Sequence, residues 1–419
     1  PFFKSLNINQ INNIKLRAGF GITGNNSIPY TASQALVTAT NYGGTAISGG
    51  QAGYYISSSG NPLLGWEKAN STDLAIDLGA FNNRVQLSLD YYTKKTFDLL
   101  YEVPVLGASG FTKQSDNIGD IDNKGLEVEL NTKNLTGKLK WSTSFNVAYN
   151  KNVVKRIGIN NTPVLSGFDA TNTSNILEVG RPINTFYMYE AVGVWKTQAE
   201  IDAYSAAHNG TAVTFNGTKF VPGDIRYKDT NDDGVITTAD KTYLGSPTPK
   251  FTYGLTNTFE YKNFDLSFLI TAQSGGKIYG ILGRAIDRPG MGASSNAMGR
   301  WRNAWWSETE QGDGSTPYIL STTTGTTLDS RWLYSSDYIR IKNLTFGYKL
   351  PVLPKYYSSA RVFVSCENLA IFDSYYGGFS PEAANSGSST AVGGGNSLGI
   401  DYGGYPTSRV FTMGVNIVF

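Results

Sequence analysis

Apolar and polar residues alternate strictly along much of this chain, and a period of two puts successive side chains on opposite faces of a β-strand. In 84–93, Val85, Leu87, Leu89 and Tyr91 share one face, while Arg84, Gln86, Ser88 and Asp90 share the other. Likewise 138–150 sets Leu139, Trp141, Phe145, Val147 and Tyr149 against Lys138, Lys140, Ser142, Ser144, Asn146 and Asn150. Similar runs at 14–23, 66–79, 121–131, 250–261, 264–273, 337–349, 360–369 and 408–419 bring the predicted strands to ten. Soluble sandwich strands usually hold about five or six residues, whereas crossing a bilayer at a tilt takes about 9–11. The pattern predicts an all-β fold, a transmembrane antiparallel β-barrel.

The spacing between strands agrees. Short links at 80–83, 132–137, 262–263 and 350–359 alternate with long ones at 24–65, 94–120, 151–249, 274–336 and 370–407. Outer-membrane barrels alternate short periplasmic turns with longer extracellular loops in this way. Strand 337–349 breaks the parity rule, because Ile339 and Ile341 are out of step with Leu344, Phe346 and Tyr348. A bulge of one residue near Lys342–Asn343 would keep both apolar sets facing lipid and spare Arg340 and Lys342 an exposure that costs roughly 2–4 kcal/mol at the bilayer midplane. The final strand carries Phe411, Met413, Val415 and Ile417 on one face and ends on Phe419. That ending resembles the C-terminal signal read by bacterial barrel-assembly machinery.

Composition narrows the function by exclusion. With 35 basic and 33 acidic residues the formal charge is +2, which offers no electrostatic case for a nucleic-acid partner. Charged residues are 16% of the chain, against roughly 25% in soluble domains. One cysteine, Cys366, and one histidine, His208, cannot build a disulfide framework or a Cys/His zinc site. Cys366 alternates with Val362 and Val364 and reads as a small hydrophobe. His208 reads as an exposed loop residue after a short helix at 197–207, with no nucleophile or carboxylate partner in any motif, so the chain is expected not to be an enzyme. No apolar run of about 18 residues predicts a membrane helix, and the opening residues do not form a signal peptide.

One local motif carries candidate chemistry. In 229–240, Asp229, Asn231 and Asp233 alternate, Gly234 follows, Val235 and Thr237 take positions seven and nine, and Asp240 takes position twelve. Calcium prefers six to eight oxygen ligands, and loops of the EF-hand type supply them from these positions, with glycine at the sixth for the turn. Position twelve is Asp rather than Glu and no second helix follows, departures that a dockerin-like single loop tolerates. The reading is a structural Ca2+ with weak extracellular affinity, Kd roughly 10⁻⁴ to 10⁻³ M; a solvated acidic turn is the alternative. Aromatic residues in the long connections, Trp301, Trp305, Trp306, Tyr375, Tyr376 and Tyr402, are candidates for stacking on sugars or for packing. Asp90, Glu127, Glu129, Lys140 and Asn146 fall on the polar face, which implies a wet or polar-plugged lumen.

Several longer motifs occur in order: LRAGFGITGN (16–25), NPLLGWEKANSTDLAIDLGAFNNRVQLSLDYYTKKTFDLL (61–100), NIGDIDNKGLEVEL (117–130), GDIRYKDTNDDGVITTADKTYLGSPTPKFTYGL (223–255), YIRIKNLTFGYKLP (338–351) and GIDYGGYPTSRVFTMGVNIVF (399–419). Together they make the chain resemble the C-terminal barrel portion of SusC-like (SusC/RagA) TonB-dependent outer-membrane transporters of the Bacteroidetes type. The resemblance implies the last ten or so strands of a 22-stranded barrel, with 1–419 the barrel portion and 151–249 a long extracellular insertion holding the short helix and the calcium-like loop. It also implies nutrient uptake, of an oligosaccharide or a peptide, with a SusD-like surface lipoprotein over the mouth and a TonB complex pulling on an N-terminal plug. Signal peptide, plug and first barrel half are not among these residues, so the chain looks like a fragment. The rival expectation is a self-contained outer-membrane barrel serving as an adhesin or structural surface protein; a soluble glycan-binding β-protein is a third.

Overall fold

A computed structural model describes the chain except residues 1–9, 27, 29–30, 43–50, 112, 159, 168–172, 288–297, 320–326, 354 and 383–397. Ten strands form one sheet: β1 (Ile11–Asn25), β2 (Glu67–Ala80), β3 (Val85–Pro104), β4 (Lys113–Thr136), β5 (Leu139–Ile157), β6 (Phe251–Tyr261), β7 (Phe264–Ser274), β8 (Tyr338–Lys349), β9 (Ser359–Asp373) and β10 (Val410–Val418). They lie in sequence order, each antiparallel to the next, as the alternation predicts. Register holds apolar residues in rows. Ala18, Leu74, Tyr91, Leu126, Tyr149 and Phe251 are successive cross-strand partners on one face. The opposite face carries Arg17, Asp77, Asp90, Glu127 and Asn146. Among the described residues no helix is long and apolar enough to cross a membrane.

The expected bulge is present. Ile341 pairs with Ile270 and Asn343 with Leu269, leaving Lys342 without a partner on β7. Ile339, Ile341, Leu344, Phe346 and Tyr348 therefore share one face, while Arg340 turns to the other, is buried, and forms an ion pair with Glu382. Lys342 itself stays exposed at the bulge.

Three strands run past the ends expected of them. The connection expected at 94–120 shrinks to 105–112, and β5 continues to Ile157. Beyond Tyr91 the outward positions become Thr93 and Lys95, so the apolar signal stops although the backbone ladder continues; pairing needs only N–H and C=O groups. Bulges in the β3–β4 and β4–β5 pairs accompany these extensions. At the other end the turns are tight, with Phe81, Asn82 and Asn83 all at positive φ between β2 and β3.

The long connections fold into a second body with several small sheets. Thr242–Gly245, Thr185–Met188, Thr173–Leu177 and Val164–Gly167 make a four-stranded sheet, and Leu333–Ser335, Lys277–Gly280 and Ile400–Asp401 a three-stranded one. Phe186, Met188, Tyr279, Leu328, Trp332 and Ile400 form a core between them. A second core gathers Tyr189, Trp195, Ile201, Phe215, Phe220, Ile225, Tyr227 and Ile236. A third, with Ile121, Val154, Ile157, Val164 and Leu177, joins β4 and β5 to this loop body.

Candidate functional site

The calcium-like loop is braced by helix α1 (Gln198–Ala207). Thr197 caps the helix, its side chain accepting from the Glu200 amide at 3.2 Å, and Ile201 anchors it in the loop core. The helix ends at His208, after which Asn209 and Gly210 take positive φ. His208 departs from expectation: its side chain is only 11% exposed, lies 4.2 Å from the Tyr204 ring, and contacts the Tyr204 carbonyl at 2.7 Å and Asp232 at 3.0 Å. Those two acceptors, the carbonyl first, raise its pKa.

Inside the loop, backbone amides turn onto carboxylates. Asp229 accepts from the amides of Asp232 (2.7 Å) and Gly234 (2.8 Å) and from the Tyr204 hydroxyl (3.0 Å). Burial works against the charged form of Asp229, but these donors outweigh it and its pKa falls. Burial and the neighbouring Asp229 carboxylate push the Tyr204 phenol up. Asp233 accepts from the Val235 amide (2.9 Å) and the Asn231 side chain (2.8 Å). Gly234 sits at φ +86, and a Cβ there would lie 2.8 Å from the His208 Cβ, so position six requires glycine. Asp229, Asn231 and Asp233 thus share one turn, and Val235 and Ile236 leave it as a short strand. Thr237 caps the turn Thr238–Asp240, and Asp240, fully buried, accepts from the Thr237 amide (2.8 Å), the Thr230 amide (2.9 Å) and the Thr230 hydroxyl (3.2 Å).

A buried ionic hub ties two long connections together. The Asp329 carboxylate accepts from Arg331 Nη2 (2.8 Å) and from the Tyr227 hydroxyl (2.8 Å), a residue 102 positions away. Ser330 bonds the backbone at Tyr189 and Ala191 on the same side. No pattern in the sequence marks this hub.

On the polar face of the sheet Arg17 reaches Asp77 (2.9 Å), Asp90 (3.1 Å) and Ser88 (3.1 Å). Asp90, Glu127, Glu129 and Asn146 line the same open cavity of about 350 Å3, as their parity requires. Lys140 lies lower on that face, 3.4 Å from Glu260. Of the candidate aromatics, Trp301 and Tyr375 are buried and donate to Asp287 (3.0 Å) and Asp401 (2.6 Å). Trp305 donates to the Lys196 carbonyl and packs edge-on against Tyr318. Trp306 and Tyr376 remain exposed. Cys366 is buried on the apolar parity of β9, opposite Leu344 and Phe411.

This wall, with its one-sided apolar rows and large folded loops, matches the family model described as TonB dependent receptor-like, beta-barrel, over residues 5–369. The chain belongs to the TonB-dependent receptor β-barrel family. It is 36% identical over 98% of its length to TonB-dependent receptor P3 of Formosa agariphila, covering 40% of that protein. It is 26% identical to TonB-dependent receptor SusC of Bacteroides thetaiotaomicron, covering 38% of it. Among solved structures, the RagAB peptide transporter superposes with a TM-score of 0.77 at 26% identity, over 98% of this chain and 41% of that one. The chain is thus SusC/RagA-like and spans about two fifths of the length of these relatives. In this TonB-dependent receptor segment the calcium-like loop and the Asp329 hub both lie in the loop body, not in the wall.

Proposed function

We propose that this chain forms the wall and extracellular loops of an energised outer-membrane importer that takes up an oligosaccharide or a peptide. A SusD-like surface lipoprotein would meet the loop body, and a TonB complex would act through the part of the relatives' length that this chain does not span. The observation that supports this most is the combination of a lipid-type apolar face with a polar inner face and a loop body that has its own cores. Non-catalytic binding and passage, rather than bond chemistry, fits a surface whose sole histidine is committed to a helix end. The test follows uptake of a labelled oligosaccharide and a labelled peptide by whole cells that carry the full-length polypeptide, and then purifies that polypeptide from their outer membrane. Uptake abolished by a protonophore, with a lipoprotein co-purifying, is the expected result. Binding that persists without a proton gradient and never leads to entry would favour the adhesin reading.

The loop 229–240 is proposed to take Ca2+ in a structural role. Asp229, Asn231 and Asp233 would supply side-chain oxygens, Val235 a carbonyl and Thr237 a hydroxyl or water contact. The amides already aimed at Asp229 and Asp233 leave further lone pairs on those carboxylates. Asp240 is engaged by Thr230 and Thr237 and would brace the loop first. Chelator should lower protection of 225–240 in the parent protein and have no effect in Asp233→Ala; equal behaviour of the two would remove calcium from the account.

A further inference from the structure

On β2–β5 the outward apolar rows stop abruptly and lysines begin. Leu74, Tyr91, Leu126 and Tyr149 form one cross-strand row. Two residues nearer the long connections, the same strands present Thr72, Thr93, Lys124 and Lys151, then Asn70, Lys95, Asp122 and Val153, and finally Lys68 opposite Phe97. Lys68, Lys95, Lys124 and Lys151 are all exposed. Asp98 lies 4.0 Å from Lys68, and Asp122, the cross-strand partner of Lys95, lies 3.8 Å from Lys155. Lys95, Lys124 and Lys151 have no ion pair among the described residues. On β7–β9 the outward residues nearest the long connections are Ser274, in the row of Tyr149 and Phe251, and Ala272, Ile339 and Phe372, in the row of Val147, and none of them is basic.

Directly beside this arc the same face has an open groove of about 520 Å3 lined by Leu16, Leu74, Ile76, Leu89, Tyr91 and Leu126. We propose that this side of the wall is a binding site for an anionic, phosphate-bearing lipid of the outer leaflet. An acyl chain occupies the groove, and the phosphate charge is met by Lys95, Lys124 and Lys151. The apolar groove alone gains little, because neighbouring lipid tails are equally apolar. Selectivity comes from the cations, since basic residues at a membrane surface attract anionic headgroups. The site lies on the outer face of the wall, away from the lumen and from the calcium-like loop, and it rests on the membrane-barrel reading.

The test places the full-length polypeptide in phosphatidylcholine nanodiscs and measures binding of bis-phosphorylated lipid A by native mass spectrometry, with dephosphorylated lipid A as the paired probe. The parent should bind the phosphorylated form more tightly. The triple variant Lys95→Gln/Lys124→Gln/Lys151→Gln should lose that preference, by roughly tenfold or more, whereas Lys140→Gln, on the inner face, should keep it. A parent that does not distinguish the two lipids, or a triple variant that still does, would overturn the proposal. Flotation with the bilayer is scored first: a polypeptide that never enters it defeats the barrel reading itself, a different failure from insertion without lipid preference.

Discussion

The wall and the loop body are built from one chain under opposite solvent rules. In the wall the large apolar residues are exposed even on inner strands, Leu74 at 54%, Tyr91 at 46% and Leu126 at 47%, and the backbone ladder supplies the order. In the loop body Phe186 and Tyr279 are wholly buried and Trp332 nearly so, as in a water-soluble domain. Charges follow the same division. The wall pairs Arg17 with Asp77 and Asp90 on its partly open inner face, whereas the loop body buries Asp329 against Arg331. An apolar residue in the wall therefore faces solvent lipid, and its value lies in what it excludes; in the loop body it fills a core, and its value lies in packing.

The largest effect should come from breaking the buried hub. Asp329→Ala leaves the Arg331 guanidinium buried without its carboxylate and removes the acceptor of the Tyr227 hydroxyl. Removing one partner of a buried pair costs about 3–5 kcal/mol. Hydrogen exchange should rise together in 189–194, 225–227 and 329–335 while β2–β5 stay protected. If the wall loosened equally, the two regions would have to be counted as one cooperative unit.

A paired substitution in β5 tests the wall's own rule. Val147 faces outward beside Val128, and Asn146 faces the inner cavity beside Glu129. Val147→Arg should cost roughly 2–4 kcal/mol in a lipid-embedded barrel, and Asn146→Arg much less, because the inner face offers water and carboxylates. Urea unfolding from vesicles reads the difference. Equal costs would mean that the parity has been assigned to the wrong sides.

These two tests also mark what was legible in the sequence. All ten wall strands and the Lys342 bulge could be read because one face must stay apolar over its whole height. Their ends could not, since β3, β4 and β5 continue with polar outward residues such as Thr93 and Lys95 where no solvent boundary enforces a pattern. The loop body was barely legible. Apart from the hairpin of Leu36–Tyr42 and Gln51–Ser58, its described strands are two to five residues long, too short for a period to register, and its hub joins Tyr227 to Asp329 across 102 positions. The loop 229–240 stood out because its residue types act on one another locally, with Gly234 as the turn. The half-buried packing of His208 did not, because it depends on where α1 stops relative to that turn.

Gly234→Ala comes next in size. At φ +86 the new Cβ would be strained and would press on His208, a cost of about 1–3 kcal/mol confined to the turn and the end of α1. Protease cleavage near 229–236 should increase while the barrel's mobility in unheated electrophoresis stays unchanged.

The smallest effect separates local helix stability from the core that holds the helix. Thr197→Ala removes the side-chain acceptor for the Glu200 amide, worth about 1 kcal/mol, but leaves Ile201 in its core and Tyr204 on Asp229. Isolated helices of ten residues are marginal in water, so α1 owes its order to Ile201 and Tyr204 more than to its cap. Exchange should therefore rise only at the first turn, 198–200, with 204–208 and the loop 229–240 unaffected. Opening of the whole helix would show instead that the cap is needed to seat Tyr204 on Asp229, and the loop body would then be less like a soluble core than its buried residues imply.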